Sequence, residues 1–358
     1  MGLRCGLIGL PSCGKTVIFN AITAAKAPLY SSSETNRVIV NLPDARMDRL
    51  VEMYHPRKVV PATLEVIDTA GLRVEDGGRK ARLLGAIKDV ETLLHVVRCF
   101  EDEQVPFSQN TIDPIRDVET VDLEMMAADS ATLENKLNRL TKKLRSGDKD
   151  AVRECGHCEK VRTAIQEGVP ARKQNLTEQE LASVAECNLV SLKPVVYIAN
   201  IKNVSEAGNK HVTALKQLAA DEKAEIITVC GKDEADISEL EPAERGAFLK
   251  ELGIDESAME RLLSAAYRKL GLISFFTTGE DEVRAWTCRH GDKAPVAAGK
   301  IHSDMEKGFI RMEVTRYSDL IELGNEAAVA KAGKKRLQGR DYEVQDGDIV
   351  SVLFNAKN

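Results

Sequence analysis

The sequence lacks the features of membrane, secreted and disulfide-stabilised proteins. No run of roughly 18 apolar residues occurs, so no membrane-spanning helix is predicted. Residues 1–4 lead directly into the first predicted strand, and we therefore expect no signal peptide. The eight cysteines follow no regular spacing, which favours reduced thiols over a disulfide framework. These absences predict a cytoplasmic protein that does not associate with a membrane.

A strong net charge is also absent. The net charge of −6 offers no general attraction to nucleic acid, so an RNA partner would need a local basic patch. We expect no recognition of a DNA sequence. Apolar residues make up 43% and charged residues 30% of the chain, which is typical of a soluble protein. Its length of 358 residues predicts two or three domains. We expect it to be a monomer.

The first candidate site is a phosphate loop of the pattern G-x-x-x-x-G-K-[ST]. An apolar run at residues 5–8 predicts a strand before it, and residues 17–22 predict a helix after it. The glycines let backbone amides turn toward phosphate, the lysine would bind the β- and γ-phosphates, and the threonine would ligate Mg²⁺. The alternative is that this glycine-containing stretch is an ordinary turn that binds no phosphate. The predicted phosphate contacts are Gly9, Leu10, Pro11, Ser12, Cys13, Gly14, Lys15 and Thr16.

A second motif follows an apolar strand at residues 64–67. Asp68 ends that strand and Gly71 lies three positions later. In phosphate-loop enzymes such an aspartate holds Mg²⁺ through water and the glycine amide bonds the γ-phosphate. Residues 26–37 are polar and broken by proline, so they predict a mobile switch loop. Its Mg²⁺ or γ-phosphate contact is left open among Ser32, Ser33 and Thr35.

The predicted base-binding residues follow two later strands. A guanine-specific fold reads Asn-Lys-x-Asp after the first of these strands, and its carboxylate accepts from guanine. This chain reads Asn200, Ile201, Lys202 and Asn203, so the carboxylate is missing. Carboxamides suit adenine, which both donates and accepts. We expect Asn200 and Asn203 to contact adenine and Ile201 to cover its ring. The second loop would contribute Cys230 and Gly231. A loop that never reaches the base is the alternative.

Residues 119–192 show a different periodicity. A 3-4-3-4 spacing predicts a coiled-coil hairpin with its turn at residues 146–148, and the seam consists of Leu123, Met126, Leu133, Leu137, Leu140 and Leu144. Cys155 and Cys158 favour buried structural thiols over a redox or zinc site. A basic cluster near the turn is either a solvated face or an RNA footprint, and it comprises Lys136, Arg139, Lys142, Lys143 and Arg145. His95 lies in an apolar strand and favours a core role.

Strands and helices alternate before the hairpin and again after it. The fold class is therefore α/β: a phosphate-loop domain with a mostly parallel sheet, at residues 1–118 and 193–272, interrupted by the helical hairpin. Residues 273–358 are again β-rich and predict a separate small domain.

With these motifs the chain resembles the YchF, or Obg-like, ATPases of the translation-factor-related phosphate-loop class. The resemblance covers nearly the whole chain and is most specific at residues 298–311, which are similar to the family's β-grasp-like TGS domain. It implies Mg²⁺-dependent hydrolysis of ATP in preference to GTP, and contact with the ribosome or ribosomal RNA. Leu72 replaces a water-orienting glutamine, as in the family, so no side-chain base is expected. The family's Asn-Val is Ser12-Cys13 here, which leaves potassium stimulation open.

Three functions compete on this sequence. The leading hypothesis is a slow nucleotide-hydrolysing switch that binds ribosomes. The second is a nucleotide-gated RNA- or ribosome-binding module with negligible turnover. The third is a thiol redox sensor, which would require a disulfide between Cys155 and Cys158.

Overall fold

The computed structural model describes residues 4–23, 36–68, 85, 87–106, 111–144, 148–240, 244, 249 and 257–355, without the side chains of residues 142 and 144. Contacts divide the chain into two units. The first contains residues 1–40 and 65–262, and the second contains residues 41–64 and 263–358. None of the helices in the described ranges combines the length and the apolarity that a membrane span requires.

The strands predicted at residues 5–8 and 64–67 are present. Within the described ranges the strands are β1 (Arg4–Ile8), β2 (Asn36–Asn41), β3 (Lys58–Val60), β4 (Thr63–Asp68), β5 (Thr92–Arg98), β6 (Val195–Ile201), β7 (Glu225–Cys230), β8 (Leu272–Thr277), β9 (Glu282–Arg289), β10 (Phe309–Arg316), β11 (Arg336–Gln338) and β12 (Asp348–Phe354).

The α-helices of the same ranges are α1 (Lys15–Thr23), α2 (Ala45–Tyr54), α3 (Pro114–Leu144), α4 (Lys149–Gln166), α5 (Glu178–Val184), α6 (Lys210–Asp221), α7 (Gly231–Glu239), α8 (Ala258–Lys269), α9 (Ala294–Ile301), α10 (Ser303–Lys307), α11 (Tyr317–Leu323) and α12 (Glu326–Lys331). Short 3-10 turns occur at Ala171–Lys173, Ala185–Cys187 and Val204–Glu206.

The sheet of the first unit is the predicted, mostly parallel one. Its strand order is β2-β4-β1-β5-β6-β7, and β4, β1, β5, β6 and β7 run parallel to one another. Every residue of β5 and β6 is buried, as expected for central strands covered on both faces. Because the carboxyl ends of parallel strands meet at one edge, the loops after β1, β4, β6 and β7 converge there.

Helices α3 and α4 form the predicted hairpin, but the predicted seam is wrong at its first residue. Met126, Leu133 and Leu140 are buried, whereas Leu123 is 59% exposed. The start of α3 packs on the sheet of the first unit instead of on α4, through Val118, Val121 and Met125. The interhelical seam therefore begins only at Met126, and its last predicted residue, Leu144, has a side chain outside the described set.

One member of the predicted basic cluster is a core residue. Lys136 is 1% exposed, and its ammonium group pairs with Glu154 at 2.6 Å and Glu186 at 3.1 Å. It also donates to the carbonyl oxygen of Ser183. The prediction that Lys136 lies on the outer face is therefore wrong. Arg139 remains exposed, and Arg145 lies outside the described residues.

The thiols of the hairpin are structural, as predicted. All eight cysteines are free and buried, including Cys155 and Cys158. Cys158 packs with Val161 and Leu133, and burial raises the pKa of its thiol to about 11. A buried, protonated thiol is a poor nucleophile, which does not favour the redox-sensor hypothesis.

The second unit contains a six-stranded mixed sheet in the order β11-β10-β12-β8-β9-β3. The antiparallel pairs are β10 with β11 and β12, and β8 with β9, while β12 pairs with β8 in parallel. Strand β3 adds to β9 in parallel and brings residues 41–64 into this unit. The prediction placed residues 41–64 in the first domain, since no local pattern shows that β3 pairs with a strand more than 200 positions away in the chain.

Candidate nucleotide site

The phosphate loop lies between β1 and α1, where its motif requires it. Lys15 is 7% exposed, and its ammonium group donates to the carbonyl oxygens of Gly9 at 2.9 Å and Leu10 at 2.8 Å. No carboxylate is within ion-pair distance of this ammonium in the described part of the chain. Neutral carbonyls thus hold a full positive charge inside the loop, which suits an anionic ligand.

Two positions of the loop require glycine for steric reasons. Gly9 has φ +145° and Gly14 has φ +99°. A Cβ atom on Gly9 would lie 2.3 Å from the carbonyl oxygen of Val96, and one on Gly14 would lie 2.2 Å from Nδ2 of Asn200. Leu10 and Cys13 are buried, so these predicted contacts would act through their backbone, while Ser12 is exposed. The loop conformation therefore depends on its glycines and on its packing against β5 and β6.

Asp68 ends β4 with an unsatisfied carboxylate. It is 7% exposed, and its Oδ1 atom is buried without a hydrogen-bond partner. Burial raises the pKa of this carboxyl group, while the Lys15 charge and a hydrogen bond from Asn36 lower it. An unpaired, buried carboxylate oxygen is costly unless a cation or proton compensates it.

The residues present fit Mg²⁺. Asp68 offers the unsatisfied carboxylate, and the Thr16 hydroxyl lies in the first turn of α1, directly after Lys15. Mg²⁺ takes hard oxygen ligands and usually keeps waters and substrate phosphates, so few protein ligands are needed. No group of three or more His, Cys, Asp or Glu side chains suitable for a metal occurs among the described residues.

Asn200 ties two parts of the candidate site together. Its Nδ2 donates to the carbonyl oxygen of Cys13 at 2.9 Å, and its Oδ1 accepts from the Gly231 amide at 3.2 Å. The side chain is 5% exposed. Each half of the carboxamide keeps one further hydrogen-bonding position, so the pair with adenine stays a prediction. The two internal bonds connect the phosphate loop to the start of α7.

The other predicted base contacts divide between core and surface. Ile201 is 4% exposed and packs with Ala199, Val212 and Cys230, so the prediction that it covers the base is wrong. Cys230 is buried too, and its thiol donates to the carbonyl oxygen of Lys202 at 3.1 Å. Asn203 is exposed, and its Nδ2 donates to Glu206 at 3.2 Å. Among the five predicted base contacts, all of which the structure describes, Asn203 is thus the exposed one.

Several residues of the predicted site lie outside the described residues, namely Gly71, Leu72, Ser32, Ser33 and Thr35. His95 is 1% exposed, and burial lowers the pKa of its imidazole to about 3, so it stays neutral at physiological pH. The prediction of a core histidine is confirmed.

Sequence reasoning missed Arg98, the last residue of β5. Its side chain is 2% exposed, and its guanidinium donates to the carbonyl oxygens of Phe100, Asp102 and Val105. The loop after β5 is thereby fixed beside Lys202, whose ammonium lies 3.1 Å from the Asp102 carboxylate. The available signal was an arginine at the end of a buried apolar strand, a position where an unpaired charge is costly.

Comparisons with known proteins agree with this geometry. A family model described as "50S ribosome-binding GTPase" matches residues 4–139, and a model named YchF-GTPase_C, described as a protein of unknown function, matches residues 272–355. A Bacillus subtilis protein named "Ribosome-binding ATPase YchF" is 42% identical over 365 residues, covering 99% of this chain and 100% of the relative. The chain belongs to the YchF family.

Other YchF proteins match over similar lengths. The Escherichia coli O157:H7 protein, also named "Ribosome-binding ATPase YchF", is 39% identical and covers 99% of this chain and 100% of its own. The structure of the Schizosaccharomyces pombe YchF GTPase has a TM-score of 0.86 and 30% identity, and the match covers 98% of both chains. The resemblance drawn from the sequence is confirmed, and membership of the YchF family makes the chain a P-loop nucleotide hydrolase.

Proposed function

We propose that this chain hydrolyses ATP in preference to GTP, with Mg²⁺, as a slow switch that associates with the ribosome. The observation that carries the proposal is the presence of two buried, complementary groups in one site. The Lys15 ammonium is held by backbone carbonyl oxygens, and the Asp68 carboxylate keeps an oxygen without a hydrogen-bond partner. The relatives named ribosome-binding ATPases support the ribosomal partner and the choice of ATP. The same proposal includes a monomeric, cytoplasmic protein.

The residues of the chain suffice to bind and orient the nucleotide. The amides at the start of α1 and the Lys15 ammonium would hold the phosphates, and Asp68 and Thr16 would hold Mg²⁺. The metal, when bound, would neutralise charge that develops on the phosphates. Gly71 would donate its amide to the γ-phosphate. Because Leu72 cannot orient water by hydrogen bonding, the attacking water depends on backbone, metal or a partner, and hydrolysis is slow.

The proposed base preference now rests on Asn203. A guanine-selective loop needs a carboxylate that accepts from two N–H groups. Asn203 offers a single acceptor oxygen in its place, and its Nδ2 is a donor, which bonds Glu206. A lost buried partner of this kind costs about 1–3 kcal/mol, or roughly five- to 150-fold in affinity. The absence of that carboxylate therefore disfavours GTP, and the exposed Asn203 remains open to the adenine amino group.

Calorimetric titration of ATP and GTP, each with Mg²⁺, tests the nucleotide proposal. We expect tighter binding of ATP, and loss of binding to both nucleotides in Lys15→Ala with an unchanged circular dichroism spectrum. Asn203→Asp should move the affinity ratio toward GTP by roughly five- to 150-fold. Wild-type protein that binds GTP at least about tenfold more tightly than ATP would refute the base preference. Unchanged affinity in Lys15→Ala would refute the phosphate site.

Turnover separates a switch from a binding module that hydrolyses nothing. Single-turnover hydrolysis should be measurable with the protein alone and faster with ribosomes, because a partner can supply the missing orientation of the water. Binding to ribosomes without any hydrolysis in either condition would favour the nucleotide-gated module. Measurements with sodium and potassium salts settle the potassium dependence that Ser12 and Cys13 leave open.

A further inference from the structure

Residues 41–64, here called the linking segment, interrupt the nucleotide unit between two of its strands. β2 ends at Asn41 and β4 begins at Thr63. The residues between them belong to the second unit. The chain therefore leaves the nucleotide sheet along β2, builds part of the C-terminal unit, and returns along the strand that ends at Asp68.

The two connecting strands meet at the candidate Mg²⁺ site. Asn36, the first residue of β2, hydrogen-bonds to the carboxylate of Asp68, the last residue of β4. The strands are neighbours in the sheet, and where the linking segment begins the Leu42 amide donates to the Ala62 carbonyl oxygen at 2.8 Å. At about 3.3 Å per residue, six-residue strands span roughly 20 Å. A paired, hydrogen-bonded ribbon thus runs from Asp68 to the linking segment.

The linking segment is firmly bound within its own unit. The Arg46 guanidinium forms a two-pronged contact with Asp346 at 2.8 and 3.2 Å, and Tyr54 donates to Glu326 at 2.6 Å. Strand β3 pairs with β9 along its whole length. These contacts join positions 224 to 300 residues apart in the chain. A displacement of β2 or β4 must therefore be absorbed within α2 and β3 or passed on to the rest of the C-terminal unit.

We propose that the linking segment couples the occupancy of the Mg²⁺-nucleotide site to the C-terminal unit. The inference rests on the proposed function. A cation at Asp68 changes the balance of charge and hydrogen bonding at the ends of β2 and β4, and the paired strands carry that change to α2 and β3. By thermodynamic reciprocity, a partner that binds the C-terminal unit changes nucleotide affinity by the same factor, typically about five- to 150-fold.

Hydrogen exchange of the full chain, with and without saturating Mg²⁺-ATP, tests the coupling without a ribosome. We expect altered exchange in the linking segment and in β9, beyond the changes around the phosphate loop. Arg46→Met removes the two-pronged contact and should reduce the response at β9 by at least about threefold, while Mg²⁺-ATP affinity stays within about twofold.

Arg49→Met is the matched control. Arg49 lies on the same helix, but its ion pair is with Glu52, three residues away on α2, so the response should equal that of the wild type. Tyr54→Phe removes only the hydroxyl that bonds Glu326 and gives a second, milder test if Arg46→Met unfolds. We expect a weakened β9 response in this variant as well.

Two results would overturn the coupling. One is unchanged exchange in the linking segment of wild-type protein that calorimetry has shown to be saturated with Mg²⁺-ATP. The other is a wild-type response in folded Arg46→Met and Tyr54→Phe. Failure of calorimetry to detect any Mg²⁺-ATP binding contradicts the proposed function itself, and with it the coupling.

Discussion

At the scale of single residues, the site depends on groups whose charges are held away from water. Lys15 and Asp68 are both buried, yet Asp68 keeps an oxygen without a partner. In the nucleotide-free protein this arrangement costs stability, because burial outweighs the help of Lys15 and Asn36 and leaves the pKa of Asp68 raised. The binding of a cation relieves that cost, so stability and ligand affinity oppose each other at this position.

Asp68→Asn should therefore stabilise the nucleotide-free protein while weakening Mg²⁺-dependent binding. A carboxyl whose folded pKa is raised favours the folded state below its unfolded pKa, and that contribution is lost as pH rises through the folded pKa. The gain in melting temperature should thus be larger at pH 7 than at acidic pH. The exposed Asp236→Asn serves as the control and should leave the melting temperature unchanged at both. A lower melting temperature for Asp68→Asn at pH 7 would contradict the assignment.

At the scale of elements, α3 changes its packing partner along its length. Its first turns pack on the sheet of the first unit, and its later turns pack on α4 and the segment after α5. A buried carboxylate marks the change: Asp129 is fully buried and accepts from the amides of Val190 and Ser191 at 2.8 and 2.7 Å. The hairpin is consequently part of the first unit.

Two leucines of α3 test where the seam begins. Leu133 is fully buried and Leu123 is 59% exposed, although both fit the same heptad pattern. Leu133→Ala should lower the free energy of unfolding by about 2–5 kcal/mol, because it removes buried apolar volume. Leu123→Ala should change it by no more than about 0.5 kcal/mol. Denaturant titration of both variants measures the difference, and equal losses would show that the predicted seam was correct at Leu123.

At the scale of the whole molecule, we propose that exposed cations of the C-terminal unit, here called the basic face, contact the ribosome. Lys300, Lys307 and Arg311 are exposed, whereas Arg284 stacks on the Trp286 ring at 3.9 Å. Deletion of residues 273–358 is a poor test of this face. It would also remove β9 and Asp346, the partners of β3 and Arg46 in the linking segment.

Charge reversal tests the face without disturbing the fold. Lys300→Glu with Lys307→Glu should weaken ribosome co-sedimentation and reduce the slope of log affinity against log salt by about two, one for each lost phosphate contact. Nucleotide affinity should not change. Lys216→Glu with Lys331→Glu alters the same total charge at two other exposed lysines and should behave like the wild type. Equal salt slopes for the two double variants would remove this face from the proposal.

The sequence by itself determined the local features of this protein. Four of these features could be predicted: the phosphate loop, the position of Asp68 at a strand end, the parallel α/β order and the buried His95. Each depends on residue type and on spacing within a few positions. The YchF resemblance followed from the same motifs.

Only the tertiary structure decided which partners the side chains find. Asn200 bonds Cys13 across 187 positions, Lys136 is enclosed by residues of other helices, and residues 41–64 pair with the C-terminal unit. No local pattern encodes such contacts, because a carboxamide or an ammonium fits a ligand site, a surface or a satisfied core position equally well. Which of the three it occupies depends on the groups that folding brings from distant parts of the chain.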